Sequence, residues 1–286
     1  AYIGIDNPTS SIIPLMNTFR DNQDYEADMF VNNHEAKEIM DDNTLLVVVD
    51  TNKPSITQCE DLLYMAKMIV VLDHHRQGSD TIRNSVLSYI EPYASSASEM
   101  VAEILQYFTE GIRIRNVEAD SIYAGIMIDT DNFMQKTGVR TFEAAAFLRR
   151  CGADVTRVRK LFREDMNDYK ARGETIRNAE LFRGQFAISE CPSDYVDSPT
   201  VVGAQAANEL LNIVGVKASF VLTEYKGVIY ISARAIDEVN VQIIMERMGG
   251  GGHLNMAGCQ LETVNMEGAR NLLKSTLTEM QDGGEI

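Results

Sequence analysis

The stretch IVVLDHHRQG, residues 69–78, decides the fold class and points to the functional site. Its apolar half predicts a buried strand, and the chain then turns polar at Asp73, His74 and His75. The chain contains only four histidines, so an adjacent pair directly behind an aspartate is unusual. In parallel α/β sheets, ligands bind beyond the carboxyl ends of the strands. We therefore interpret these three residues as a site for metal and phosphate rather than as turn formers.

Strands and helices alternate on both sides of this stretch. The apolar runs AYIGID (1–6) and NTLLVVVD (43–50) each predict a short buried strand. Helical spacing predicts one helix from Ser55 to Met68 and another that starts at Ser96, where Ser96 and Glu99 have the spacing of a capping box. The alternation predicts an α/β fold with a parallel, doubly wound sheet.

The pattern changes near Gly152, and this change predicts two domains. We place the first domain at residues 1–165, a polar helical linker at 166–184 and the second domain at 185–286. Two β-rich runs on either side of Lys226–Gly227 predict a hairpin. With the helical patterns around it, the second domain is predicted to be a smaller α/β domain with a mixed sheet.

Composition limits the class of partner. The chain has 286 residues, 45% hydrophobic and 24% charged, which is typical of a globular protein with room for two cores. A net charge of −16 argues against long nucleic acid as a partner. The four cysteines form no CxxC pair, which favours free thiols in a reducing cytosol. The chain shows no signal peptide and opens inside a predicted strand without methionine, so we interpret it as a segment of a longer protein.

Three aspartates are predicted to lie where a sheet of this kind binds its ligand. Asp50 and Asp73 end two apolar runs, and Asp129 follows the apolar helix predicted at 118–128. Carboxylates with an imidazole suit Mn²⁺, Mg²⁺ or Fe²⁺, and Asp73 is a candidate to orient a histidine. Taken singly, Asp50 also fits a turn or helix cap, and Asp129 also fits an Asx turn.

A second group of residues has the chemistry of a phosphate site. GGGGH occupies residues 249–253, and consecutive glycines let a backbone approach an anion. Ser232 and Arg234 are two apart on a predicted strand and therefore share one face. We interpret them as a phosphate clamp. The alternative is a flexible glycine loop beside a surface arginine.

Six segments of the chain carry a family resemblance. In order they are VVVD (47–50), LDHHR (72–76), EPYASSASEM (91–100), IDTDNF (128–133), KTGVRTFEAAAFLRRCGAD (136–154) and GGGGH (249–253). This ordered set resembles the DHH phosphoesterases, and more closely the cyclic-di-AMP phosphodiesterases of the GdpP type. The resemblance covers essentially the whole chain. It implies a parallel-sheet DHH domain joined to a smaller DHH-associated domain, with the active site in the cleft between them.

The resemblance also implies roles for matching residues. Asp50 would bridge two Mn²⁺ ions, His74 and Asp129 would bind one of them, and His75 would lie near the substrate phosphate. We predict that His75 and Asp73 are the catalytic pair. Contacts to the substrate phosphates would come from Ser232, Arg234, Gly251, Gly252 and His253. The implied reaction is hydrolysis of cyclic-di-AMP to linear pApA.

The chain departs from the family at one motif. Family members begin with a strand and a His-x-x-x-Asp-x-Asp motif that supplies three further ligands, and nothing in this sequence matches it. We therefore expect an N-terminally truncated DHH domain that, on its own, has impaired activity. The resemblance further implies a parent protein attached to the cell membrane, with this portion in the cytoplasm, and leaves a homodimer open.

Two other functions remain open from the sequence. A related DHH enzyme degrades very short RNAs and dephosphorylates pAp, and it shares the DHH and GGGH motifs. A non-catalytic module that binds a cyclic dinucleotide would fit the missing first motif.

Overall fold

Two compact units make up the protein, Ala1–Arg163 and Glu164–Ile286. The computed structural model describes residues 1–9, 12–108, 111–163, 165–194, 196–236 and 239–286. Both units combine helices and strands. Within those described ranges, no helix is long and apolar enough to span a membrane.

The first unit is built on a small parallel sheet. Its strands are β1 (Ile3–Gly4), β2 (Phe30–Val31), β3 (Leu45–Val49), β4 (Met68–Asp73) and β5 (Leu87–Ile90). Its α-helices are α1 (Ile13–Arg20), α2 (Asn33–Ile39), α3 (Leu62–Met65), α4 (Ala97–Phe108), α5 (Asn116–Asp129), α6 (Val139–Arg150) and α7 (Val155–Leu161). Strands β3, β4 and β5 are parallel and adjacent in that order, whereas β1 and β2 form a separate parallel pair.

The parallel sheet confirms the predicted α/β class and aligns the ends of two strands. The register runs from Leu45 opposite Met68 to Val49 opposite Leu72. Asp50, which follows β3, and Asp73, which ends β4, therefore lie together at the carboxyl ends of these two strands. Helix α4 packs on β4, and the helices α4 to α7 share a core of their own.

The burial predicted for the first two strands is wrong. Leu45, Val47 and Val49 of β3 are 53%, 47% and 51% exposed, and Val48 is the buried residue of the strand. In the described part of the unit, β3 pairs along one side only, with β4. Ile3 of β1 is also exposed. The apolar run predicts the strand correctly, but it does not show that one face of the strand is left uncovered.

The single helix predicted from Ser55 to Met68 is also wrong. The segment contains a 3-10 helix at Pro54–Ile56, turns, and the four-residue helix α3. Ala66 is already extended, with ψ 131°, and Met68 begins β4. Pairing with β3 draws the end of the segment into the sheet, so the tertiary structure overrides the helical spacing.

The second unit has a mixed sheet, as predicted, and this sheet has six strands. Its strands are β6 (Glu180–Phe182), β7 (Phe186–Cys191), β8 (Ala218–Tyr225), β9 (Val228–Ala235), β10 (Gly251–His253) and β11 (Met256–Leu261). Its helices are α8 (Met166–Arg177), α9 (Pro199–Leu210), α10 (Val241–Arg247) and α11 (Met266–Asp282). The order is β10-β11-β9-β8-β7-β6, with β7 and β8 parallel and the other pairs antiparallel. The segment predicted as a linker contains α8 and β6.

The hairpin of the second unit confirms the turn predicted at Lys226–Gly227. Both residues have positive φ, 52° and 78°, as the two central residues of a type I′ turn require. Helices α10 and α11 pack on one face of the sheet, and α8 and α9 pack on the other. Residues of β9 alternate strictly between buried and half-buried, so Tyr230, Ser232 and Arg234 share one partly open face.

Candidate metal centre

Three predicted metal ligands lie together at the ends of β3, β4 and α5. His74 Nε2 is 3.3 Å from Asp50 Oδ1 and 3.9 Å from Asp129 Oδ2. The His74 side chain is 10% exposed, whereas those of Asp50 and Asp129 are 55% and 32% exposed. Two carboxylates therefore approach one imidazole nitrogen from the side that solvent can reach.

His75 lies beside this group. Asp50, His74 and His75 each offer one ligand atom, and these atoms all lie within 4.8 Å of one another. The two histidine rings are 4.4 Å apart between centroids and meet edge to face. His75 is exposed, so its ring is accessible to a ligand that reaches the cluster.

The backbone next to two of the ligands is left-handed. Asp50 has φ 63°, and its amide donates to Leu72 of the neighbouring strand at 3.0 Å. After Asp129, residues 131–133 have φ 46°, 58° and 66°. Positive φ is uncommon outside glycine and is often concentrated at functional sites. Both ligand-bearing turns have this property.

The charges of the cluster shift the pKa values of two ligands. The hydrogen bond to Asp50 is the main cause that raises the pKa of His74, against the opposing effect of burial, and the charge of Asp129 adds to the rise. Burial first, and then the charge of Asp50, raise the pKa of Asp129. Asp129 and His74 therefore both hold their protons more strongly than usual, and together with the Asp50 carboxylate they form a donor set that a divalent cation would fit. Oxygen and imidazole ligands suit Mn²⁺, Mg²⁺ or Fe²⁺.

Asp73 lies behind His75 and orients it. Its side chain is fully buried, and Oδ1 accepts hydrogen bonds from the backbone amide of His75 at 3.2 Å and from Nδ1 at 2.7 Å. Its Oδ2 accepts from Asn52 Nδ2 at 2.5 Å. The sequence did not identify Asn52, which is buried and also donates to the His75 carbonyl. The only signal was its position two residues after Asp50.

A backbone carbonyl orients His74. The Nδ1 atom of His74 is 3.3 Å from the carbonyl oxygen of Ala94, which is buried after β5. Because a carbonyl can only accept, this contact is a hydrogen bond when Nδ1 carries the hydrogen, and Nε2 faces Asp50 and Asp129. A carbonyl contact is invisible to a search for site residues by side-chain type.

The predicted phosphate contacts of the second unit lie on or near β9. Ser232 and Arg234 share the half-buried face with Tyr230. A cavity of about 510 Å³ opens over Ser232 and Tyr230, with Gln260 and Thr200 in its wall. Arg234 Nη1 donates to the carbonyl of Ala233, whereas its buried Nε has no hydrogen-bond partner within the described residues. Burial lowers the pKa of Arg234.

The glycine run has a packing role that the sequence did not predict. Gly251–His253 form β10, which pairs with β11. A Cβ at Gly250 would lie 2.1 Å from the carbonyl oxygen of Gly258, and one at Gly252 would lie 2.5 Å from the backbone of β11. A Cβ at Gly251 would meet nothing within 4 Å. His253 is exposed at the end of the run.

Comparison with known proteins finds a matching domain family in each of the two units. Residues 5–126 match the N-terminal domain of the DHH family, and residues 186–279 match the DHHA1 domain. Together the two matches span most of the chain, and the chain belongs to the DHH family. The predicted resemblance is confirmed.

Relatives at 41–43% identity are named cyclic-di-AMP phosphodiesterases. Cyclic-di-AMP phosphodiesterase GdpP of Bacillus subtilis is 43% identical over 259 residues, which is 89% of this chain and 39% of the relative. Cyclic-di-AMP phosphodiesterase PdeA of Listeria monocytogenes is 41% identical over 243 residues, 85% of this chain and 37% of the relative. The chain thus spans about two fifths of the length of these relatives.

A solved structure shares the fold. An exopolyphosphatase-related protein from Bacteroides fragilis matches with a TM-score of 0.79 at 19% identity, covering 98% of this chain and 83% of that protein. At this identity the match concerns the fold alone.

Proposed function

We propose that this chain is the catalytic portion of a metal-dependent phosphodiesterase that hydrolyses cyclic-di-AMP to pApA. One observation carries the proposal. Asp50, His74 and Asp129 converge in a chain whose relatives at 41–43% identity are named cyclic-di-AMP phosphodiesterases.

Asp50, His74 and Asp129 would hold the cation, with His75 as a neighbouring donor; Mn²⁺ is the cation that we expect. When bound, the cation would lower the pKa of a water nucleophile and offset the negative charge of the phosphate. The oxygen and imidazole donors described above support this assignment. An overall charge of −16 repels an anionic substrate, so local positive groups have to supply the attraction.

Residues of the chain itself hold His75 in a fixed orientation. Because His75 Nδ1 donates to the buried Asp73, its Nε2 points away from Asp73, and the protonated ring could donate from Nε2 to a phosphate oxygen. Asn52 holds Asp73 in place. This buried support lets an exposed imidazole keep one orientation without help from the substrate.

The second unit would bind the substrate phosphates. Arg234 offers a guanidinium with an unpartnered Nε, and Ser232 offers a hydroxyl on the same face. Gly251, Gly252 and His253 would add backbone amides and an exposed imidazole. Charge-assisted bonds of this kind are the strongest that a phosphate makes.

Turnover of cyclic-di-AMP, pApA and pAp with Mn²⁺ tests the proposal. We expect cyclic-di-AMP to be opened to pApA and the activity to disappear on removal of metal with a chelator. A wide preference for pAp would instead assign the related oligoribonuclease and pAp phosphatase activity. Tight binding of cyclic-di-AMP without turnover, in this chain and in a longer form of the protein, would assign a non-catalytic binding module.

A further inference from the structure

The peptide group between Ala94 and Ser95 links His74 to a buried carboxylate. Its carbonyl oxygen lies 3.3 Å from His74 Nδ1, and its amide nitrogen donates to Glu99 Oε2 at 3.3 Å. Both bonds belong to one planar group, since the carbonyl of Ala94 and the amide of Ser95 share a peptide bond. The hydrogen bonds therefore run in one direction, from the imidazole through the peptide to Glu99.

Glu99 is held by several donors and does not reach solvent. Its side chain is 1% exposed, and Oε2 also accepts from Ser95 Oγ at 2.5 Å and from Thr141 Oγ1 at 2.6 Å. Arg140 lies 3.9 Å from Oε1 but donates its two short bonds to Glu103. A buried carboxylate is costly without hydrogen bonds, and here most of these bonds fix the segment behind His74.

This use of Glu99 differs from the capping box that the sequence predicts. Ser96 Oγ does accept from the Glu99 amide, at 2.9 Å. The Glu99 carboxylate, however, accepts from the amide of Ser95 and not from that of Ser96. The carboxylate thus fixes the residue before the cap, which is bonded to Ala94.

Glu99 also reaches the other side of the metal centre. Thr141 lies in the first turn of α6, and its Oγ1 accepts from the Gly138 amide at 3.0 Å. Helix α6 follows the left-handed turn that begins after Asp129. One carboxylate therefore holds the segment behind His74 and the end of the loop that follows Asp129.

We propose that Glu99 is a positioning residue of the metal centre, which acts through the Ala94–Ser95 peptide to hold His74 with Nδ1 protonated and Nε2 open to the cation. The inference rests on the proposed function. Histidine ligands commonly donate their second nitrogen to a carboxylate or a carbonyl; here a peptide group lies between the two. Hydrogen bonds in series polarise one another, so the charge of Glu99 strengthens the hydrogen bond between His74 Nδ1 and the Ala94 carbonyl.

The variant Glu99→Gln tests this role because it keeps the shape of the side chain and removes its charge. Loss of an outer partner of a metal ligand weakens metal binding by about tenfold to a hundredfold, and we expect a Mn²⁺ affinity loss in that range by calorimetry. Hydrogen exchange of the Ser95 amide, followed by NMR in the metal-free chain, should be slow in the natural sequence and faster in the variant, because this amide donates to the Glu99 carboxylate. Glu103→Gln is the matched control. Glu103 lies one turn further along α4 and, like Glu99, is close to Arg140. This variant should change neither measurement.

The outcomes separate this role from the proposed function. Unchanged Mn²⁺ affinity and unchanged hydrogen exchange at the Ser95 amide in Glu99→Gln overturn the positioning role. Absence of Mn²⁺ binding in the natural chain overturns the metal-dependent function, whereas the exchange measurement still tests the contact between Glu99 and the segment behind His74. If the variant does not fold, the natural chain decides: rapid hydrogen exchange at the Ser95 amide overturns the inference.

Discussion

The side-chain amide of Asn52 donates a 2.5 Å hydrogen bond to the carboxylate of Asp73, and both side chains are buried. Asn52→Ala would leave one oxygen of Asp73 without this donor. A lost bond to a buried charged group costs about 1.5–3 kcal/mol, so we expect a lower midpoint of denaturant unfolding. Asn43→Ala, at an exposed turn, is the control. Equal midpoints for the two variants would show that the pair does not stabilise the fold.

Asp129→Asn should weaken Mn²⁺ binding without unfolding the chain. Because the fold raises the pKa of Asp129, the charged form is less favourable in the folded chain than in the unfolded one. This penalty is present above the folded pKa and absent below the unfolded one. The metal-free variant should therefore melt at the same or a higher temperature at neutral pH, and the difference should vanish in acid.

Asp131→Asn serves as the control for that substitution. It removes an exposed carboxylate two residues away and keeps a residue type that tolerates a positive φ. Calorimetric titration with Mn²⁺ should distinguish the two variants. Equal affinities for Mn²⁺ would remove Asp129 from the metal centre.

The glycine run offers a sharp contrast between two neighbouring positions. Gly250→Ala would press a methyl group onto the carbonyl oxygen of Gly258, a backbone atom that cannot move aside. We expect a loss of about 1–3 kcal/mol in the free energy of unfolding, the usual cost of overpacking. Gly251→Ala meets open space and should keep its stability. If Gly251 contacts phosphate, this variant should still raise KM.

Arg234→Ala should chiefly raise the KM for cyclic-di-AMP, because its buried Nε has no partner in the described part of the chain. Arg270→Ala is a matched comparison, since Arg270 also has a buried Nε without a partner among the described residues, forms an ion pair with Glu190 at 2.8 Å, and has no assigned role in binding. Steady-state kinetics of the two variants separate a binding effect from a structural one. An unchanged KM in Arg234→Ala would count against the phosphate clamp.

The cysteines should differ in reactivity. Burial raises the pKa of Cys259 to about 11, and little of the reactive thiolate forms at neutral pH. Cys151 is only half-buried. Alkylation of the folded chain followed by mass spectrometry should label Cys151 first and Cys259 only slowly, with rates that rise with pH. Early labelling of Cys259 would show that its strand opens readily.

Local signals in the sequence predicted those features that depend on neighbouring residues. The turn at Lys226–Gly227 follows from a residue pair, and Asp50 and Asp73 follow from apolar runs that end at a polar residue. The parallel register then brings both strand ends together without further information. Asp129 is a candidate from its place after an apolar helix, but its role as a ligand comes from the resemblance, because nothing in IDTDNF shows which strand ends its helix approaches.

The remaining features depend on contacts between distant residues. Asn52 meets Asp73 across 21 positions, and Thr141 meets Glu99 across 42. Ala94 acts through its backbone, which no residue type reveals. The segment after Ser55 has the spacing of a helix, yet its last residue, Met68, belongs to β4 and pairs with β3. The spacing of residues within one segment does not show whether pairing with a distant strand will prevent a helix from forming.

The exposed edge of β3 has a practical consequence for the behaviour of the chain in solution. An apolar strand with an open side is a template for pairing with another molecule. Among the described residues β3 pairs only with β4, and it exposes Leu45, Val47 and Val49 on one face. The charge of −16 keeps molecules apart, but the Debye length falls from about 10 Å at 0.1 M salt to about 3 Å at 1 M. Concentrated salt should therefore drive this protein out of solution through β3, and a lysine in place of Val47 should keep it dissolved.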